Sequence, residues 1–285
     1  MERPLSLALR AEDLAPGDRA VAERDWSDVA VRRVADAADP DFAPAYERLW
    51  AEFGARGEME RREVVAARLA WDPARPERGA ALAYELLVVR RAGGLAALRD
   101  HTAVVRLDAR GRAREPVVVH LSHALVEPAH RGSGLAAWLR ALPLQAARRC
   151  AAAAGCNPGA PVVLVAEMEP PDPADPARGV RLRSYGRAGF KKLDPAATPY
   201  AQPDFRAPDA WPSGAPAALP LELVLRRVGR EDEDEMPAAE VAAVVEAIYA
   251  VYGVHVPDAA LAPLRAASAQ WTARRARFRL LPPSP

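Results

Sequence analysis

The chain has 285 residues, half of them hydrophobic, enough for one large domain or a domain with an appendage and for a sizeable core. Its 39 Lys and Arg against 38 Asp and Glu leave a net charge of +1, so no global field draws it to nucleic acid or to an anionic membrane. Two cysteines, Cys150 and Cys156, are too few for a disulfide scaffold or a four-ligand zinc site, and no stretch approaches the ~20 apolar residues of a membrane span.

Residues 1–25 are charged, carry a Pro16-Gly17 turn signal and read as a loose lead-in. Charge breaks the first apolar run too soon for a secretory signal, so a cytoplasmic protein is expected. Val29, Val31 and Val34 belong to a first short strand. Asp39-Pro40-Asp41 announces a helix, and Phe42, Tyr46, Leu49, Trp50 and Phe53 fall along one of its faces until Gly54 stops it. A second helix is predicted over 58–71, with Val65, Leu69 and Trp71 available for packing. Residues 81–90 and 95–106 read as two strands joined by the turn Arg91-Ala92-Gly93-Gly94. Arg99, Asp100 and His101 lie mid-strand, either as a local ion pair or facing a cleft. Arg110–Arg114 is a basic loop.

Val117–Val126 is β-branched and apolar enough for a buried strand. Strict alternation puts His120, Ser122, Ala124 and Val126 on one face and His123 on the other. After Glu127-Pro128-Ala129-His130 comes Arg131-Gly132-Ser133-Gly134. Two glycines there remove the Cβ atoms that would keep a ligand from the backbone. From Gly134 on, Leu135, Leu139 and Leu142 recur at helical spacing, and Pro143 predicts a bend near Ala141-Leu142. Strand, glycine turn and helix N-terminus together make a site for phosphate or pyrophosphate. Pro161–Glu169 is the next strand, Pro170-Pro171-Asp172-Pro173 a stiff loop, and 177–188 a helix bearing Tyr185. A last hairpin joins Phe190–Leu193 to Leu219–Val228 through a Pro-rich loop holding Tyr200-Ala201-Gln202-Pro203, long enough to be functional. Glu231–Glu235 reads as a solvated acidic linker, followed by helices over about 237–252 and 257–271.

Two motifs resemble the GNAT superfamily of acyl-CoA-dependent N-acetyltransferases. Val126-Glu127-Pro128 stands before Arg131-x-x-Gly134-x-Ala136. Downstream, Tyr185 lies four residues before the pair Gly189-Phe190. By element order the resemblance covers roughly 27–228. It implies an α/β fold with a mixed, mostly antiparallel central sheet flanked by helices. It sets a GNAT domain at 26–230, with 231–285 as acidic linker and C-terminal helical appendage. That appendage has three candidate roles: packing on the domain, completing a homodimer, or binding a partner.

The resemblance further implies acetyl-CoA as co-substrate and transfer of its acetyl group to a primary amine on a small molecule or peptide. Leu125 and Val126 would pair their backbone with the pantetheine arm. Arg131, Gly132, Ser133, Gly134, Leu135 and Ala136 would hold the pyrophosphate, and Tyr185 would protonate the departing thiolate. The first two helices would wall the acceptor site, offering Tyr46, Trp50 and the Glu/Arg set at 58–63 as substrate contacts beside their plainer role in packing. The base is among His120, whose residue type titrates near roughly 6.5, Glu167 and Glu169, or is a bound water. No metal ligand set is read. A GNAT-like domain that binds acyl-CoA without catalysis is the second reading. A dinucleotide oxidoreductase is a third, since Gly132-Ser133-Gly134-Leu135-Ala136-Ala137 also fits G-x-G-x-x-G/A. Against it, four residues separate the strand from Arg131, and the region near 152–157 reads A-A-A-G-C-N where an acid belongs.

Overall fold

The structure is a computed structural model that describes residues 3–4, 13–205 and 218–283. Part of the lead-in and of the Pro-rich loop lies outside the described residues. Strands β1 (Arg3–Pro4), β2 (Val29–Arg33), β3 (Ala80–Arg91), β4 (Gly94–Leu107), β5 (Ala113–Val126) and β6 (Val162–Met168) follow one another across a single sheet. They are joined in it by β7 (Lys191–Leu193), β10 (Glu222–Arg227), β11 (Glu235–Pro237) and β12 (Arg277–Leu281). A separate ribbon pairs β8 (Ala201–Pro203) with β9 (Ala218–Pro220). The order in the main sheet is β1-β2-β3-β4-β5-β6-β10-β7-β12-β11. Every described pair is antiparallel except β5 with β6. The fold is therefore α/β with a mixed, mostly antiparallel sheet flanked by helices, as the resemblance implies.

Side-chain alternation sorts the core into two layers. Leu82, Tyr84, Leu86 and Val88 of β3 face α1 (Phe42–Phe53), α2 (Arg62–Arg68), α6 (Ala238–Gly253) and α7 (Asp258–Ala273). Ala81, Ala83, Leu87 and Val89 face the other way, toward α3 (Leu135–Ala141), α4 (Pro143–Ala153) and α5 (Pro176–Arg187). We call these the first and second faces. The bend at Pro143 is present: α3 ends at Ala141, and α4 begins on the proline, which is tolerated at a first helical position. The second helix is shorter than predicted, Arg62–Arg68, because Glu58–Glu60 run along the edge of the cleft described below instead of winding.

The C-terminal helices expected from sequence are present, but they are built into the body. Helix α6 buries Val241, Val244, Val245, Ile248, Tyr249, Val251 and Tyr252. A helix apolar all round must be covered all round. It lies between α7 and the first face, against Val104, Val118, Val163 and Val165. Each such side chain contributes about 1.5–3 kcal/mol on burial. Strand β12 then pairs with β7, Leu280 opposite Leu193. Packing thus runs across the expected boundary at 230, and the acidic run, although much of it is exposed, carries ion pairs to the body. Glu231 pairs with Arg226 at 2.8 Å, Glu233 with Arg227, Asp234 with Lys191 at 2.7 Å and Glu235 with Arg277 at 2.7 Å.

The lead-in is likewise tied down where it is described. Residues Pro16–Glu23 form a 3-10 helix, and Asp18 makes a buried ion pair with Arg140 of α3 at 2.8 Å. Cys150 packs against the carbonyl of Ala81 at 3.3 Å, and burial pushes its thiol up to about 12.

Candidate active site

Strands β5 and β6 are paired only from Val117–His120 against Val162–Val165. Beyond that point β5 runs on to Val126 beside β4, and β6 runs on to Met168 beside β10. The two strands part, and backbone groups on both sides face a gap instead of each other. A cleft of about 590 Å³ fills the gap. Its lining includes His120–Val126 on one side, Ala166–Glu169 on the other, and Arg131, Ala136, Arg140, Ser184 and Tyr185 toward the second face. An extended ligand bearing amides can bond such an opened strand edge as a further strand would.

The glycine turn closes the second-face end. Gly132 and Gly134 have φ of 77° and 99°, left-handed values that favour glycine. A Cβ at Gly134 would meet Val21 at 3.1 Å and Arg24 at 3.2 Å, so packing as well as conformation holds that position to glycine. Ser133 donates its hydroxyl to the carbonyl of His130 at 2.6 Å and is committed to shaping the turn. Of the residues singled out from sequence, Tyr185, His120, Glu167, Leu125, Val126, Arg131 and Ala136 line the cleft. Leu135 instead packs into the core beside Trp138, and Gly132 is exposed at the rim.

One face assignment is corrected. The pairing of β4 with β5 shifts register between Asp100↔His123 and Thr102↔His120, which marks a β-bulge. The extra residue resets alternation, so His123 joins His120 on the first face and Leu125 follows it. Val126 packs on the second. The run Arg99-Asp100-His101 divides the same way. Asp100 faces His123 on the first face, while Arg99 lines the cleft and His101 meets Glu85 at 3.4 Å on the second.

His120 reaches Glu167 through Nε2 at 2.6 Å. Glu167 also accepts the hydroxyls of Tyr200, at 2.5 Å, and of Tyr252 on α6. Burial opposes a charge there, but His120 and the two phenols outweigh it and hold the Glu167 carboxyl below the ordinary range. Glu167 accepts the hydrogen bond from Nε2–H, which leaves Nδ1 as the acceptor nitrogen of the ring. The Ser122 hydroxyl lies 3.5 Å from that Nδ1. Glu167 thus accepts three side-chain hydrogen bonds.

His123 is held differently. Nδ1 meets Asp100 at 3.0 Å and Nε2 donates to the carbonyl of Glu58 at 3.1 Å. The His123 backbone N–H donates to Asp100 at 2.7 Å, and the Tyr84 hydroxyl adds a further bond to it at 3.0 Å. Burial disfavours both charges, yet the pair raises His123 to about 9 and lowers Asp100 to about 2. Nearby, burial and the neighbouring Glu169 raise the Glu58 carboxyl.

Of the acceptor-wall candidates, Glu58 and Glu60 line the cleft, whereas Tyr46 is buried and donates to the carbonyl of Glu60 at 3.2 Å. Trp50 stacks on Tyr46. Tyr185 packs edge-on against Phe190, and its hydroxyl lies 3.4 Å from Arg99. Tyr200, Tyr252 and Ser122 escaped the sequence reading as site residues. Only Tyr200 carried a signal, its place in a loop long enough to be functional.

Among the described residues no group of three or more His, Cys, Asp or Glu is arranged to hold a metal, and no helix is long and apolar enough to cross a membrane. No family model and no curated protein matches the chain. Solved structures similar to it include a candidate acetyltransferase from Salmonella typhimurium with its cofactor acetyl-CoA, at 20% identity and a TM-score of 0.34, covering 71% of this chain and 95% of that one. A tandem GNAT protein from the clavulanic acid biosynthesis pathway is 19% identical, with a TM-score of 0.38, over 61% of this chain and 46% of that one. An acetyltransferase of the GNAT family from Streptococcus pneumoniae is 15% identical, with a TM-score of 0.33, over 70% of this chain and 99% of that one. These are distant likenesses, and the chemistry rests on the geometry of the cleft.

Proposed function

We propose that the protein is an acyl-CoA-dependent N-acyltransferase. It moves an acyl group, acetyl in the simplest case, from acyl-CoA to a primary amine on a small molecule or peptide. The observation that carries this reading is the parting of β5 and β6 between a glycine turn and a His–Glu pair. The residues fit the donor. The turn at Arg131–Ala136 offers backbone amides and a helix start to a pyrophosphate, and the open edge of β5 at Leu125-Val126 offers partners to the amides of a pantetheine arm.

The residues also divide the proton work. An amine attacks only when neutral, so its proton must leave. His120 receives it at Nδ1, and Glu167 fixes the ring and stabilises the imidazolium that forms, much as a buried carboxylate serves the histidine of a hydrolase triad. Across the cleft the Tyr185 hydroxyl gives a proton to the departing thiolate. The acceptor enters on the first face, past Glu58 and Glu60.

The test is to incubate the protein with a panel of acyl-CoAs, acetyl-CoA among them, and a panel of amines, follow thiol release, and identify acylated products by mass spectrometry. Release that requires both protein and amine supports the reading. Tight CoA binding with no release on any amine favours the non-catalytic acyl-CoA sensor. Absence of CoA binding overturns both.

A further inference from the structure

Among the described residues Arg99 has no carboxylate in ion-pair contact, although its charge adds to those that depress Asp100. The Arg99 side chain is 1% exposed and lines the cleft on the second face. Nη1 reaches the Tyr185 hydroxyl at 3.4 Å, and among the described residues Nε and Nη2 have no partner. The carboxylates around it are committed elsewhere. Asp100 points to the opposite face and serves His123 and Tyr84. Glu85, on the same face, is taken by Arg149, by Arg33 at 3.2 Å and by His101. Arg140 lies 5.8 Å from the Tyr185 ring and is balanced by Asp18. A buried guanidinium left unpaired is costly, and a bidentate carboxylate relieves that cost better than any other group.

The position of Arg99 says which ligand brings the charge. The glycine turn, α3 and α5 with Tyr185 all stand on the second face, whereas His120, Glu167 and Glu58 stand on the first. On the proposed acyl-CoA reading, on which this inference rests, the second face is the donor's. We propose that Arg99 binds a carboxylate at the far end of the acyl group, so that the preferred donor is a short dicarboxylic acyl-CoA, malonyl or succinyl, and not acetyl-CoA. The transfer balances as before. The N–C bond forms and the C–S bond breaks, the amine proton passes to His120, the thiolate takes a proton from Tyr185, and the distal carboxylate stays intact on Arg99.

Calorimetry on the full chain tests this without knowledge of the acceptor. The ligands are CoA, acetyl-CoA, malonyl-CoA, succinyl-CoA and, as an uncharged acyl group of similar length, butyryl-CoA. The wild type should bind malonyl- or succinyl-CoA at least tenfold more tightly than acetyl- or butyryl-CoA. Arg99→Met should bring that ratio close to one, and Arg99→Lys should keep part of it. Since the ligand-free guanidinium lacks a carboxylate in ion-pair contact, Arg99→Met should melt at or above the wild-type temperature, where a merely structural arginine would lower it. Equal affinities in the wild type, or a preference that survives in Arg99→Met, overturn the proposal. So does an equal loss of affinity for all four acyl-CoAs, which would assign Arg99 to the thioester end. Failure to bind CoA itself overturns the acyl-CoA reading beneath it.

Discussion

His120 and His123 are separated by two residues on β5, face the same layer, and each meets a buried carboxylate. Their environments make them different objects. His123 has a partner on both ring nitrogens, each able to accept, and Asp100 holds it as an imidazolium. It cannot take a proton. His120 spends one nitrogen on a carboxylate already bonded by two phenols, and its other nitrogen has only a hydroxyl at 3.5 Å. The same residue type on the same face is thus a brace in one place and a candidate base in the other. Hydrogen-bond count, more than burial, sets the difference, since both are less than 5% exposed.

Substitution of each histidine should separate the two roles. His120→Ala should lower kcat by about 10²–10⁴-fold, the range for lost general-base catalysis. Steady-state kinetics with a responsive amine would show it, while calorimetry finds CoA affinity within a few-fold of wild type. Unchanged turnover would remove His120 from the chemistry. His123→Ala should act on the fold instead. It strands the buried Asp100 charge, which costs about 3–5 kcal/mol in comparable pairs, and denaturant unfolding should register that loss. Wild-type stability in that variant would dissolve the contrast.

A smaller change sharpens the comparison from the carboxylate side. Tyr252→Phe removes one of the hydroxyls bonded to Glu167 and keeps the ring. Hydrogen bonds to charged groups contribute about 1.5–3 kcal/mol. The variant should therefore be less stable by about that amount, with a kcat loss well short of that for His120→Ala. If it instead equals His120→Ala in rate, Tyr252 belongs to the proton path itself.

The smallest expected effect is in pH dependence. Asp100 is depressed from 3.8 to about 2, so its contribution is present above 3.8 and lost as pH falls through about 2. His123 is raised from 6.5 to about 9, so its contribution is full below 6.5 and lost as pH rises through about 9. Melting temperature should therefore decline as pH rises from 6.5 to about 9. His123→Asn, which cannot titrate, should flatten that decline. An equally steep decline in the variant would place the titrating group elsewhere.

Much of this was legible in the sequence. The strand, the glycine turn, the bend at Pro143 and the Tyr185 motif are local patterns, and local patterns survive folding. The face of His123 was not legible, because alternation counts residues and a bulge inserts one without changing composition. Nor was the place of α6. Its run of Val, Ile and Tyr on every side argues for burial, but the partner surface lies more than a hundred residues earlier on β4 and β5. Strand β12 carried a weak signal in the alternation Arg277-Phe278-Arg279-Leu280, which is too short to stand out beside a helix. Tyr252 and Glu167 are brought together only by that tertiary packing.

The bond from Tyr252 to Glu167 and the pairing of β12 with β7 also set an order of events during synthesis. Most of the sheet and the glycine turn can form from residues up to Arg227 as they leave the ribosome. The His–Glu pair cannot reach its final state then, because α6 has not yet covered it and the first face still shows Val104, Val118, Val163 and Val165 to water. The growing chain should pass through a stage with a formed glycine turn, an unfinished His–Glu pair and an exposed apolar face. Chaperone binding and protease sensitivity should concentrate there, and both should end once residues through Leu281 have docked.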